Sequence, residues 1–488
     1  RMSELKAITI DPITRLEGHG KITIFLNKEG NVENAYFQVP ELRGFERFCE
    51  GRRAEDLPII TPRICGVCPV AHHFASTKAL DAAFNVEPPS AAKKLRELMY
   101  SGYYVYDHTL HFYFLGAPDF VVGPDAPPAE RNILGVIKKV GLDIAKEVIK
   151  HRAYGQKITA MLGGKATHPT CGLPGGISKG LTEEERQEIE KMAESSVEFA
   201  KFSLNLFGDV VLKNKKYVDL VLSDAYALKT YYMGLVDENN KVNFYDGKVR
   251  VVDPEGKEFV KFAPSDYLNA IEEHVEEWTY VKMTHLKKVG WKGLVDGPTS
   301  GIYRVGPLGR LNAADGMATP LAQQEYKRMY ETLGGKPVHA TLAFHWARLI
   351  ELLYAAERAL ELSRDKEITS TEIRNKPGKP GEGVGIVEAA RGTLIHHYKL
   401  DEEGLAKKVN LIVATTNNAP AICMSIRDAA KGLIHGPEVG QGLLNMVEMA
   451  FRAYDPCFGC ATHFAMGQMP LEVKIYDHNK KLLNTVKR

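Results

Sequence analysis

The sequence predicts an α+β fold that is mainly α: a central bundle of long helices, with small antiparallel β-sheets at the N-terminal region, mid-chain and near the C-terminus. Three observations predict it. Long helical segments recur between residues 61 and 364, and the one at 90–114 is apolar on most faces. A helix of that kind is buried among others. Short alternating runs flanked by Gly, Asp and Asn lie at 20–38, 241–262 and 386–415. Period-two alternation is the signature of a half-buried strand. Finally, 488 residues suffice for a large core and, on length alone, for roughly two to four domains.

The elements follow in order. Lys21–Leu26 and Val32–Phe37 alternate around Asn27-Lys28-Glu29-Gly30-Asn31, which reads as a hairpin over 20–38. A helix starts near Cys68, runs through Ala71–Phe84, and stops before Pro88-Pro89, which cannot continue it. Ser90 then reads as the N-cap of a helix reaching about Phe114. Further helices are expected at 129–152, 182–207, 265–289, 319–333 and 338–364. Lys241–Tyr245, Lys248–Val252 and Glu258–Phe262, separated by Asp246-Gly247 and Asp253-Pro254-Glu255-Gly256, read as a three-stranded meander within 240–263. The Pro- and Gly-rich run Asn375–Gly385 reads as a loop, followed by strands near 386–398 and 409–415 and a last helix at about 437–453. No repeat or low-complexity tract is visible.

Composition excludes several classes. The chain carries 63 basic and 61 acidic residues, a net charge of +2, which gives no argument for nucleic acid binding. No stretch reaches the apolar length of a membrane span, and Arg1-Met2-Ser3-Glu4 opens no signal-peptide core. The expectation is a soluble, cytoplasmic protein. Seven cysteines, an odd and low count, fit reduced thiols better than a disulfide framework.

The chemistry concentrates in two cysteine pairs at nearly opposite ends of the chain. One is Arg63-Ile64-Cys65-Gly66-Val67-Cys68-Pro69-Val70-Ala71-His72; the other is Asp455-Pro456-Cys457-Phe458-Gly459-Cys460-Ala461-Thr462-His463. One C-x-x-C can be a redox pair, half a zinc site or incidental. Two together make a soft four-sulfur set suited to nickel, iron or zinc. A zinc ribbon would place its pairs far closer in sequence. Cys49, Cys171 and Cys423 are left over and read as small buried apolar residues.

These motifs resemble those of the nickel–iron hydrogenase large (catalytic) subunit. Arg15-Leu16-Glu17-Gly18-His19, Arg43-Gly44-Phe45-Glu46 and Glu388-Ala389-Ala390-Arg391-Gly392 agree in order and position, so the resemblance spans about Asp11 to His463. It implies that Cys65 and Cys457 are terminal ligands of nickel, and that Cys68 and Cys460 bridge nickel to an iron whose other ligands are cyanide and carbon monoxide. Glu17 matches the proton-transfer carboxylate. Arg391 matches an arginine over the open metal position, with Asp107 and Asp455 as the carboxylates beside it. Glu46, His463 and the carbonyl of Leu411 match a second site for magnesium or a further iron. His72, one helical turn after Cys68, is either a locally satisfied core histidine or a donor to the Cys68 sulfur. Thr415 is either a strand threonine or a hydrogen-bond partner of a cyanide. The chain departs from the family pattern at Ala390, where Pro is common, and at Asn417 or Asn418, where Trp is usual.

The resemblance also implies partners. With four cysteines taken, Cys49, Cys171 and Cys423 remain, scattered and without iron–sulfur spacing. Electrons therefore need an iron–sulfur small subunit, docked near the Cys65 loop. The family branch it resembles most, cytosolic bidirectional or F420-non-reducing, implies further subunits of flavin or heterodisulfide reductase type. The expected organisation is one catalytic domain, 1–463, built from a hairpin region 1–60, a bundle 61–364 and a metal-binding region 365–463. Residues 464–488 form an extension, a hairpin with Leu471–Tyr476 alternating and Asp477–Lys481 turning, which the resemblance implies is cut off between His463 and Phe464. Two other readings stay open: a metal-free subunit like that of respiratory complex I, and a zinc-stabilised scaffold.

Overall fold

Helix termini and close helix contacts decide where the chain turns. The computed structural model describes residues 7–11, 13–436 and 439–462, and the backbone of two strands beyond them, Glu472–Tyr476 and Leu482–Lys487. Ser90–Leu110 is the axial helix, with Leu95, Leu98 and Tyr103 fully buried. It packs on Leu142–Gly163 and Phe344–Ser363, and the latter packs on Glu183–Phe207. The axial helix meets Leu142–Gly163 at Gly102 and Gly155, where a Cβ on Gly155 would lie 2.4 Å from the Gly102 carbonyl oxygen. Only glycine permits that approach. Past Leu110 the helix widens into π-turns over His111–Gly116 and Pro118–Val122.

Three sheets of three or four strands frame the bundle. Ala7–Ile10, Lys21–Leu26 and Val32–Gln38 form an antiparallel sheet, so the predicted hairpin is present with one further strand. The mid-chain sheet has four strands in the order Tyr303–Arg304, Tyr231–Val236, Lys248–Val252, Glu258–Phe262. Its second strand corrects the expected meander: Lys241–Tyr245 forms no strand, and Val242 only bridges to Val236. Tyr231–Val236 is buried at every position. A strand buried on both faces shows no alternation to read. The C-terminal sheet is Glu382–Ala389, Gly392–Leu400 and Ala406–Ile412, all antiparallel. The strand expected at 386–398 is thus a hairpin whose two-residue tip is Ala390-Arg391, and the loop expected to Gly385 ends at Glu382.

Other expectations change for identifiable reasons. The helix at 129–152 is broken at Gly141, with φ +94°, into Ile133–Val140 and Leu142–Gly163; the Asn132 side chain caps the first. The helix at 265–289 is a single turn, Tyr267–Ala270, followed by the antiparallel strands Ile271–His274 and Met283–Leu286. Met283–Leu286 is buried against the helix Ala414–Leu433, and this tertiary contact overrides local preference. Ser90 is the first helical residue rather than the cap, and its hydroxyl donates to Glu367 at 2.7 Å. After Ile412 the chain turns into Ala414–Leu433, a helix absent from the sequence expectations because Asn417, Asn418 and Pro420 disfavour one. The last helix begins at Gln441; residues 437–438 lie outside the described ones. The helices Glu183–Phe207 and Pro320–Thr332 appear as expected, the first with a capping box from Thr182 and Glu185, while the one expected at 338–364 begins only at Phe344, after the tight turn Thr341–Ala343. Beyond residue 462, the two strands pair antiparallel as expected, while the turn 477–481 and the junction His463-Phe464 fall outside the described residues.

A candidate metal centre between the two chain ends

The two cysteine loops are brought together by their flanks. Cys65 follows the tight turn Thr61–Ile64 in extended backbone, and Cys68 sits at the N-terminus of the helix Pro69–Ala83. Cys457 precedes the short helix Phe458–Ala461, which carries Cys460. The Cys457 loop is strapped down from three directions. Phe458 donates its N–H to the Glu17 carbonyl at 3.0 Å, and the Cys457 N–H meets the Thr415 hydroxyl at 3.0 Å. Arg43 donates to the carbonyls of Ile64 at 2.7 Å and Gly459 at 2.9 Å, tying one loop to the other.

The result is a closed sulfur cluster. The Sγ atoms of Cys65, Cys68, Cys457 and Cys460 lie within 4.8 Å of one another, all buried. Cys65 and Cys457 are 3.6 Å apart, and Cys68 and Cys460 are 3.7 Å apart. The N–H groups of Val67 and Cys68 point at the Cys65 sulfur from 3.3 and 3.2 Å. Burial opposes a thiolate at Cys65, but the neighbouring thiols and the Arg391 charge overturn that and hold it below the ordinary thiol range. Burial and mutual repulsion push Cys457 and Cys460 up. Four sulfurs so crowded and dry become thiolates together only around a cation. The donor set therefore fits soft-metal binding. Cys49, Cys171 and Cys423 are buried elsewhere, each pushed up to about 12 by burial, as inert thiols are.

Around the sulfurs stand the predicted polar residues. Glu17 accepts from the Cys457 thiol at 2.9 Å and from the Gly459 N–H at 3.0 Å through the same Oε2. Burial pushes its carboxyl up. A Cβ on Gly459 would lie 2.6 Å from Glu17 Oε1, so the contact depends on glycine there. Arg391 projects from the hairpin tip, holds Asp107 bidentately at 3.0 and 3.1 Å, and reaches Asp455 at 2.9 Å. All three are buried, and the two carboxylates keep the guanidinium charged. Asp455, at φ +56°, is pushed up to about 7 by burial.

Four predicted residues occupy places the sequence did not specify. Thr415 lies in the first turn of a helix, not in a strand, and its oxygen accepts from Cys457. His72 Nδ1 pairs with His396 Nε2 at 3.1 Å, and burial lowers it to about 4, so the ring is neutral. Glu46 is buried and pushed up to about 7 by that burial; its Oε1 accepts the Leu411 N–H at 2.8 Å. Glu46 thus meets Leu411 through its N–H, and His463 lies outside the described residues. Among the described residues, the four cysteines are the one His/Cys/Asp/Glu group close enough to hold an ion.

Arg43 and Arg348 had no role assigned from the sequence. Arg43 stands in a family-like motif, but nothing local points it at two loops more than twenty and four hundred residues away. Arg348 is fully buried and donates to the Ala453 carbonyl at 2.9 Å, just before Asp455. A cation inside the apolar run Phe344-His345-Trp346-Ala347-Arg348-Leu349-Ile350 was the available signal.

Comparison with known proteins agrees with this geometry. Residues 43–133 and 145–463 match the nickel-dependent hydrogenase family, and residues 7–42 match a HoxL-like family. A component of the F420-non-reducing hydrogenase of Archaeoglobus profundus, named there as an iron-sulfur subunit, is 50% identical over 485 residues, covering 99% of this chain and 100% of that one. The NAD-reducing hydrogenase HoxS subunit beta of Cupriavidus necator is 38% identical over 98% of this chain and 99% of its own. Among solved structures, an NAD+-reducing nickel–iron hydrogenase in the H2-reduced state superposes with a TM-score of 0.89 at 36% identity, covering 94% of this chain and 99% of that one. The Ni-Fe-Se hydrogenase of D. vulgaris Hildenborough superposes with a TM-score of 0.75 at 25% identity, covering 94% and 100%. These matches disfavour the metal-free reading. The chain belongs to the nickel-dependent hydrogenase family, as a homologue of its large, catalytic subunit.

Proposed function

We propose that this chain performs the reversible heterolytic cleavage of dihydrogen with Glu17 as the first carboxylate on the proton's way out and Arg391 as the fixed cation of the site. The observation that carries this reading is the 2.9 Å contact between Cys457 Sγ and Glu17 Oε2. When bound, the nickel–iron pair supplies the site that takes dihydrogen and its two electrons. Cys65, Cys68, Cys457 and Cys460 would hold it, and by the resemblance Cys65 and Cys457 would serve as the terminal thiolates and Cys68 and Cys460 as the shared ones. The Cys457 sulfur receives one proton and Glu17 Oε2 takes it, a transfer between atoms already in hydrogen-bond contact. The Gly459 N–H steadies the carboxylate without competing for the proton. Arg391, held flat by Asp107 and Asp455, presents a preorganised positive field that needs no rearrangement during turnover.

Further parts of the reading concern groups outside this chain. By the resemblance, the iron would carry cyanide and carbon monoxide, with the Thr415 hydroxyl as a hydrogen-bond partner for a cyanide and Ala390 packed beside these ligands. Glu46, the Leu411 carbonyl and His463 would hold magnesium or a second iron, as the resemblance implies. Neutral His72 is a donor toward the Cys68 sulfur. The catalytic domain is 1–463, and the extension 464–488 is removed after metal insertion; the family match ends at residue 463, which supports the boundary. An iron–sulfur small subunit takes the electrons; the relatives are themselves named as single components of larger hydrogenases, which supports this. No helix among the described residues is long and apolar enough to cross a membrane, which suits a cytoplasmic complex. The resemblance to the cytosolic bidirectional and F420-non-reducing branch implies a next carrier of flavin or heterodisulfide reductase type; the relatives named F420-non-reducing and NAD-reducing agree with that branch.

The test is elemental analysis of the purified complex together with hydrogen-dependent viologen reduction. Nickel and iron with dye reduction are expected. Zinc alone, or nickel without dye reduction, would overturn the reading.

A further inference from the structure

Arg391 does its work from a two-residue turn closed by the Ala389–Gly392 pair, and the backbone of that turn sets where its side chain begins. Arg310, on the helix Gly306–Ala313, is fully buried beneath that turn. Its guanidinium offers five N–H donors, and five bonds account for them. Nε and Nη2 grip Glu351 at 2.6 and 2.7 Å, and Nη1 takes Glu388 at 2.8 Å. The other two bonds go to backbone carbonyls: Nη1 to Ala389 at 2.7 Å and Nη2 to Ala390 at 3.0 Å. These are the two residues immediately before Arg391.

The same turn is held from the axial helix. Tyr100 and Tyr104 both donate to the Glu388 carbonyl at 2.7 Å, and the Ala390 N–H donates to the Tyr103 hydroxyl at 3.0 Å. The far carboxylate oxygen of Glu388 accepts from the Leu235 N–H at 2.9 Å and the Thr393 hydroxyl at 2.8 Å. A buried cation between two buried carboxylates is expensive to assemble, and as a stability device it is a poor choice against apolar packing. Two of its bonds spent on consecutive carbonyls make sense as aiming. A guanidinium fork fixes both carbonyls in one plane, which a lysine cannot do.

We propose that Arg310, assisted by Tyr103, is a positioning residue for Arg391: it fixes the Ala389-Ala390 backbone so that the Arg391 guanidinium meets Asp107 and Asp455 in a single pose above the sulfur cluster. This rests on the reading of Arg391 as the site's fixed cation. Displacement by about 1 Å of a group that must be aligned costs up to about a hundredfold in rate.

The test is a double-mutant cycle on the purified complex, with the variants Arg310→Lys, Tyr103→Phe, Arg391→Lys and the two doubles. Nickel and iron content, kcat and KM for hydrogen are measured for each. Arg310→Lys is expected to keep both metals, to lower kcat about tenfold or more and to leave KM within about twofold. In the Arg391→Lys background the same change should cost less than about twofold, because nothing is left to aim. Equal losses in both backgrounds would make Arg310 a general structural residue and overturn the proposal. If Arg310→Lys fails to hold metals, Tyr103→Phe decides: it removes one hydroxyl, and its loss must likewise vanish when Arg391 is already replaced. A second readout is independent of turnover. Amide exchange of the segment 388–393 should quicken in Tyr103→Phe while the rest of the chain stays protected, and unchanged exchange there would count against the clamp. Wild-type turnover in Arg391→Lys alone sinks the reading of Arg391 itself, a result distinct from additivity.

Discussion

Glu17→Gln is the substitution that separates proton transfer from structure at this centre. The amide has nearly the shape of the carboxylate, so the Gly459 N–H at 3.0 Å keeps an acceptor and the packing against Gly459 is unchanged. Retaining that bond limits the stability change to about 1 kcal/mol. The contact with Cys457 at 2.9 Å is a different matter. A carboxylate accepts the thiol proton and passes it on, whereas an amide has no site to carry it. A positioned acid–base group contributes about 10²- to 10⁴-fold, so hydrogen–deuterium exchange with solvent should fall by at least about a hundredfold, equivalent to ~2.7 kcal/mol of barrier. The assay follows exchange between dihydrogen and D2O beside nickel and iron content and the spectra of the metal centre. Metals and spectra should stay near wild type while exchange collapses. Exchange within about threefold of wild type, with metals in place, would remove Glu17 from the proton's route.

Three other outcomes follow from the geometry. Gly392→Ala puts a Cβ 2.1 Å from Val305 Cγ2 at φ +139°; strain and overpacking together should cost roughly 2–6 kcal/mol, visible as a lowered unfolding midpoint, and an unchanged midpoint would show that the turn relaxes freely. For pH, burial holds neutral His72, His73, His108 and His339 at about 4 and His345 at about 3. Unfolded imidazoles protonate near 6.5, so between about 6.5 and about 4 the unfolded chain binds more protons and stability falls as the pH drops. Glu46 and Asp455, both pushed up to about 7, act in the opposite sense but are fewer. Denaturation midpoints of the metal-free chain should therefore decline over that window, and a flat profile would contradict neutral burial of these histidines. Lastly, the intact mass of the large subunit from an active complex should end at His463; full turnover by chains still carrying 464–488 would make the extension permanent.

The chemistry of this protein is written along its chain. Cys65, Cys68, Cys457 and Cys460 stand in two short C-x-x-C patterns whose residue type soft-metal chemistry constrains, so the pairs are legible wherever they fold, whereas Glu17, Arg391, Asp107 and Asp455 stood out only through the family resemblance. The long amphipathic or wholly apolar helices were legible for a related reason: the periodicity of Glu183–Phe207 and the apolar surface of Ser90–Leu110 record burial directly. What stayed illegible depended on partners distant in the chain. Tyr231–Val236 is buried on both sides and so has no alternation. Ala414–Leu433 is helical despite Asn417, Asn418 and Pro420 because it is packed into the core beside both the first and last sheets. The tip of the Glu382–Leu400 hairpin fell inside what read as a single strand, and only the pairing of Ala389 with Gly392 put Arg391 at a turn. Arg43 and Arg310 show the limit most plainly. Arg310 is an ordinary arginine in its own segment and Arg43 one member of a short motif, yet the role of each exists only because carbonyls from remote segments converge within 3.0 Å of one guanidinium. Ligand chemistry is local and can be read along the chain, whereas the aiming of those ligands is a long-range packing problem that only the folded backbone solves.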